Sequence, residues 1–96
     1  MRIVSWNKME SCFDGDFVYK YFFDVRWTEE AIKTMGALGH LQYYGSFPRP
    51  LFQIQCDDGT IIKGVQDINE CRVLFARDGP NMAKERFEKS FGAAFE

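Results

Sequence analysis

Residues 50–76 read PLFQIQCDDGTIIKGVQDINECRVLFA, and the rest of the chain is organised around this run. Apolar residues alternate along it, and two turn signals break it, Asp57-Asp58-Gly59 and Asp67-Ile68-Asn69-Glu70. Three consecutive antiparallel strands are expected. A two-residue loop at Asp58-Gly59 would set Ile54 opposite Lys63 and place a charge on an apolar face. A three-residue loop with Gly59 in the left-handed region sets Ile54 opposite Ile62 and Phe52 opposite Gly64. The second register keeps the faces clean. A four-residue turn then places Val73 opposite Gly64 and Phe75 opposite Ile62. One face collects Phe52, Ile54, Cys56, Ile62, Gly64, Cys71, Val73 and Phe75, with Phe52 and Val73 covering the bare Gly64.

The clearest alternation elsewhere is Phe17 to Trp27. Phe17, Tyr19, Tyr21, Phe23, Val25 and Trp27 share one side, and Lys20, Asp24 and Arg26 share the other with Val18 and Phe22. Eleven residues is long for a strand, so a bend or bulge is expected. Residues 2–9 form a further strand, with Val4 and Trp6 on one side and Ile3 and Met9 on the other. The Ser11–Asp16 stretch between these two strands is turn-rich.

Helices must cover the aromatic face. Thr28 is a good N-cap, Glu29 and Glu30 suit the positive end of a helix dipole, and Gly39 is placed to stop the helix. Ala31, Ile32, Met35 and Leu38 form its stripe, and Gly36 permits close approach to the sheet. A second helix starts near Asp78-Gly79-Pro80 and carries the stripe Ala83, Phe87, Phe91, with Gly92 as its end. Residues 40–44 make a short strand closed by Gly45, with Leu41 and Tyr43 on one face. The order is β-β-α-β-β-β-β-α. It predicts an α+β two-layer sandwich: a mixed or antiparallel sheet of about five or six strands with two helices on one face. A ferredoxin-like arrangement is the alternative.

Ninety-six residues make one domain, 1–96, able to bury roughly 60–70% of its unfolded surface. A hydrophobic fraction of 46%, with ten Phe, excludes a disordered chain. A formal charge of -2 argues against general nucleic-acid or anionic-membrane binding. No apolar run approaches the ~18 residues of a membrane span, and Met1-Arg2 leads into no signal pattern, so a cytoplasmic setting is expected. Cys12, Cys56 and Cys71 form an odd set without a C-x-x-C. Cys56 and Cys71 fall at opposite ends of the meander, roughly 20 Å apart by strand rise. They read as small core residues, with no disulfide, metal or cofactor required.

Phosphate-loop, dinucleotide, zincin and nucleophile-elbow patterns are absent. Asp57-Asp58-Gly59 is hairpin chemistry rather than a calcium loop. His40 is the single histidine and follows the helix-stopping Gly39, where a helix C-terminus favours its charged form. The candidate binding surface is Tyr43-Tyr44-Gly45-Ser46-Phe47-Pro48-Arg49-Pro50. The prolines hold Phe47 and Arg49 extended, and the aromatic bodies and guanidinium are hot-spot ingredients. The alternative is structural: Phe47 plugs the core edge and the prolines block edge pairing. Arg49, Tyr44, Phe47, Tyr43 and His40 are thus the candidate residues. The expected role is a non-enzymatic accessory or protein-interaction module, with a protein partner or homodimer. A domain that binds or senses a small anionic ligand is the other reading.

Overall fold

The computed structural model describes residues 1–9, 18–75 and 79–95. Its centre is the meander read from the sequence: β4 (Leu51–Gln55), β5 (Ile61–Val65) and β6 (Glu70–Leu74). Phe52 faces Gly64 and Ile54 faces Ile62 across the first hairpin, and Gly59 takes φ +93° in its turn. Asp58 completes that turn by accepting from the Thr60 backbone N–H at 2.9 Å.

The second hairpin has a different register. Ile62 faces Val73 and Gly64 faces Cys71, two residues from the expected pairing. A shift of two keeps every side chain on its face, so the core set survives. The cause is tertiary. Trp27 donates its backbone N–H to Ile68 O at 2.9 Å and accepts from the Asp67 N–H at 2.8 Å. Phe23 N–H donates to Asn69 O at 2.8 Å. Bonds from another part of the chain hold the 66–69 backbone, with Asp67 at φ +69°, in place of a self-closed turn.

The remaining strands are β1 (Ile3–Lys8), β2 (Val18–Phe23) and β3 (His40–Tyr44). The sheet has six strands in the order β1-β2-β6-β5-β4-β3, and every neighbouring pair is antiparallel. Helix α1 (Glu29–Gly36) joins β2 to β3 across the meander, and α2 (Pro80–Ala94) follows β6. Both helices pack on the same face, giving an α+β two-layer architecture rather than a ferredoxin-like one.

Local chemistry explains most boundaries. Thr28 Oγ1 accepts from the Ala31 N–H at 3.1 Å, and Glu29 and Glu30 occupy the first turn of α1. The helix stops at Gly36 rather than Gly39, because residues 37–39 tighten into i→i+3 bonds. Gly36 lies so close to β3 that an added Cβ would sit 2.9 Å from Leu41 Cδ2. Helix α2 runs through Gly92 to Ala94, and Phe95 then packs against Phe91 and Trp27. Its apolar contacts outweigh the ~1 kcal/mol glycine penalty.

The bend expected in the long aromatic strand follows Phe23. It buries Trp27 but leaves Val25 50% exposed, against the expected alternation. In β1 a bulge sits between Ile3, which faces Phe23, and Ser5, which faces Phe22. The extra residue is the exposed Val4, and it brings Ile3 and Trp6 onto one side, where separate sides were expected. Expectations for Cys12, Phe17, the 11–16 loop and Asp78 lie outside the described residues.

The core is one aromatic-rich cluster between sheet and helices. Tyr21, Phe23, Trp27, Phe52, Phe75, Phe87 and Phe91 carry it with Ile32, Met35, Ile54, Ile62 and Val73. Ring pairs run through it from Phe75–Phe87 at 5.9 Å to Phe23–Phe91 at 5.1 Å and Trp27–Phe52 at 4.9 Å. Each such pair adds ~0.5–1.5 kcal/mol beyond its buried area. Phe52 lies over Gly64, where a Cβ would fall 2.4 Å from Phe52 Cζ. Val73, two residues off its expected partner, faces Ile62 instead. Gly64→Ala is therefore expected to overpack the core and lower stability by ~1–3 kcal/mol in urea melts. Adding Phe52→Leu to that variant should recover part of the loss. Equal stability of Gly64→Ala and the parent would contradict the packing.

Candidate functional site

The helices cover one face of the sheet, and the other face is open among the described residues. The ladders line up one residue from each strand across it. Asn7 faces Lys20, Lys20 faces Arg72, Arg72 faces Lys63, Lys63 faces Gln53 and Gln53 faces Gln42. Three cationic side chains thus stand in one row on neighbouring strands whose backbones run ~4.7–4.9 Å apart. Like charges facing across a ladder oppose folding by roughly 0.2–1 kcal/mol per pair. A chain of formal charge -2 has spent three of its 12 Lys and Arg on one row.

Among the described residues, Glu70 is the carboxylate in ion-pair range of this row, 3.2 Å from Lys20 Nζ. Lys20 also lies over the Phe22 ring at 5.6 Å. Arg72 and Lys63 remain exposed beside each other. A cleft of about 350 Å³ opens over them, with Leu51, Val65, Ile68 and Tyr44 completing its walls and Gln53 at its side. The row flanking the cations contains Leu51 facing Val65 and Tyr44 facing Leu51. Cationic and apolar walls therefore meet in one depression of metabolite size.

Of the residues singled out from the sequence, Tyr44 alone lines this cleft. Its hydroxyl donates to Gln42 Oε1 at 3.1 Å. Tyr43 takes the opposite face of β3 and donates to Gln66 Oε1 at 2.6 Å. Phe47 and Arg49 lie exposed in the β3–β4 connection, so Phe47 does not plug the core edge. His40 begins β3, opposite Gln55 and roughly 13 Å of strand from Tyr44. Helix α1 ends four residues earlier, so His40 is not a C-cap residue.

Two further clusters stand on the helix side. Lys84 Nζ lies 3.9 Å above the Trp6 ring and pairs with Glu88. The Tyr21 hydroxyl donates to Glu88 Oε2 at 2.9 Å. Burial, then Glu88, push the Tyr21 phenol well above its ordinary pKa, so it stays a neutral donor. This network ties α2 to β1 and β2.

A second cleft of about 250 Å³ lies between α2 and the β4–β5 turn, beside Cys56, Thr60, Arg86 and Ser90. Arg86 donates to Asp58 at 2.9 Å. Burial raises the Asp58 pKa, but the Thr60 N–H and the Arg86 guanidinium outweigh it and hold the carboxyl below its usual value. Thr60 Oγ1 is buried without a partner at full hydrogen-bond geometry among the described residues. The nearby Asp58 carboxylate is still influenced by it.

Cys56 and Cys71 are free thiols. Cys71 is level with Phe52, four residues from Cys56 along the strand direction rather than the six expected. Cys56 is half-buried, not a core residue. Burial, then Asp58 and Asp57, push its thiol up to about 11. A thiol so placed is a poor nucleophile at neutral pH. Among the described residues no three His, Cys, Asp or Glu side chains converge as a metal site. No helix among them is long and apolar enough to cross a membrane.

The cationic row was hidden by a single step in the sequence. Pairing Gln53 with Lys63 followed from the first hairpin, but the expected second turn would have set Lys63 beside Leu74 and Arg72 beside Val65. Comparisons of the chain with family models, curated proteins and solved structures find no match.

Proposed function

We propose that the protein is a non-catalytic binding module whose open sheet face receives the carboxylate or phosphate of an anionic ligand. The observation that carries this reading is the in-register row Lys20–Arg72–Lys63. Such a row opposes folding, and a bound anion would turn its repulsion into attraction. Arg adds a planar fork suited to two-point contact with an oxyanion. The test pairs stability with binding. Arg72→Gln should leave the melting temperature unchanged or raise it. The same substitution should remove the stabilisation that phosphate gives the parent over chloride at equal ionic strength. A strongly destabilised Arg72→Gln protein would mark the row as structural.

A protein contact at the β3–β4 connection is the second reading, favoured by Phe47 at 52% exposure beside the exposed Arg49 and Tyr44. Arg49→Ala is then expected to keep stability within ~0.5 kcal/mol. It should weaken partner or homodimer association by ~1 kcal/mol or more. Melting curves and recovery from a native lysate check the two halves. Unchanged recovery would remove this reading.

A further inference from the structure

We infer that the ligand of the open face is a small amphiphilic anion: one carboxylate or phosphate head joined to an apolar ring or short alkyl body. This rests on the anion reading above and adds the class of molecule. The head belongs at Arg72 and Lys63, because the Glu70 carboxylate already pairs with Lys20 Nζ at 3.2 Å and closes that end of the row. Two adjacent cations fit a single head group rather than a repeating polyanion. The chain's formal charge of -2 also gives a polyanion no long-range attraction.

The body belongs on the other wall. Leu51 is 37% exposed and Val65 and Ile68 are half-buried, and together they line the cleft beside the cations. Tyr44, 45% exposed on edge strand β3, offers a ring at the far side. A volume of about 350 Å³ takes one metabolite-sized molecule, not a folded segment. An anion without a body would leave the apolar wall in water, and a body without a head would leave the Arg72–Lys63 repulsion unanswered.

The test uses the intact chain with three probes at equal ionic strength: inorganic phosphate, phenyl phosphate and phenol. Amide shift titrations by NMR report both the affinity and the residues perturbed. Phenyl phosphate should bind at least about tenfold more tightly than phosphate, equivalent to ~1.4 kcal/mol. Shifts should concentrate at Gln53, Lys63, Val65 and Arg72. Arg72→Gln, or Lys63→Gln as the independent variant, should weaken both phosphates. Leu51→Ser should remove the advantage of phenyl phosphate and leave inorganic phosphate unchanged. Equal affinities for the two phosphates would overturn the amphiphile and leave the anion reading standing. Absence of shifts with either phosphate would overturn both. Phenol binding as tightly as phenyl phosphate, or shifts confined to another face, would also overturn both.

Discussion

Ile54→Lys is expected to leave a chain without a cooperative melting transition, whereas Gln53→Lys melts within ~0.5 kcal/mol of the parent. The two positions are neighbours on β4 and differ in the face they present. Ile54 is fully buried, opposite Ile62, in the cluster shared by both helices. A lysine there loses the isoleucine packing, and its charge must either enter the core unpaired or drag the strand outward. Breaking a buried site in this way costs ~3–5 kcal/mol, comparable to the whole stability of a marginal domain. Gln53 sits on the open face opposite Lys63, so a lysine there adds one more like charge to an exposed row. Circular dichroism melts of the two variants separate the cases. A cooperative Ile54→Lys transition within a degree or two of the parent would mean that the strand is out of register.

The contrast shows what could be read from sequence and why. At Asp57-Asp58-Gly59 the turn chemistry and the apolar alternation agree, and only one loop length satisfies both. The Phe52–Gly64 and Ile54–Ile62 pairs followed. At residues 66–69 the local signals are weaker. Asp67, Ile68 and Asn69 fit a four-residue turn, yet their backbone groups bond to Trp27 and Phe23. Those partners are at least 40 positions away, and no local rule reports them. Helix starts were similarly legible, because Thr28 and Pro80 carry their own chemistry. Helix α2 outran Gly92 because Phe91 and Phe95 gain packing that propensity does not see.

The candidate site followed the same logic. Tyr44 was singled out with its neighbours, because aromatic bodies and an arginine on a proline-stiffened stretch are locally conspicuous. Lys63 and Arg72 were not, since isolated charges on alternating strands read as solvated positions. Their meaning comes from strand order, which places β2 beside β6, and from the register that sets Arg72 between two lysines. A shift of two residues preserves the buried face and changes every neighbour on the open one. The core is therefore insensitive to the step that decides whether the cationic row forms.

Trp27→Ala is expected to be among the most damaging truncations of the described core residues. Trp27 is fully buried, with Phe23 at 5.2 Å, Phe52 at 4.9 Å and Phe95 at 6.3 Å between ring centroids. Its indole N–H donates to Glu70 O at 3.1 Å, and its backbone holds Asp67 and Ile68. Removing the ring opens a cavity at the meeting point of β2, the meander and α2, which costs ~3–5 kcal/mol. The Glu70 carbonyl also loses its indole donor. Trp27→Phe separates the two effects: most of the packing remains and the N–H is lost, so ~1–3 kcal/mol is expected. Ile68 and Glu70 both line the open-face cleft, so the cost should reach the site. In Trp27→Phe the folded protein should bind phenyl phosphate more weakly than the parent although no cleft residue has changed. A Trp6→Phe background makes Trp27 the sole tryptophan, and the red shift of its selectively excited emission on unfolding gives the parent curve. Trp27→Phe is followed in parallel by circular dichroism. Stability within ~0.5 kcal/mol of the parent would show that the indole does not clamp the 66–70 segment.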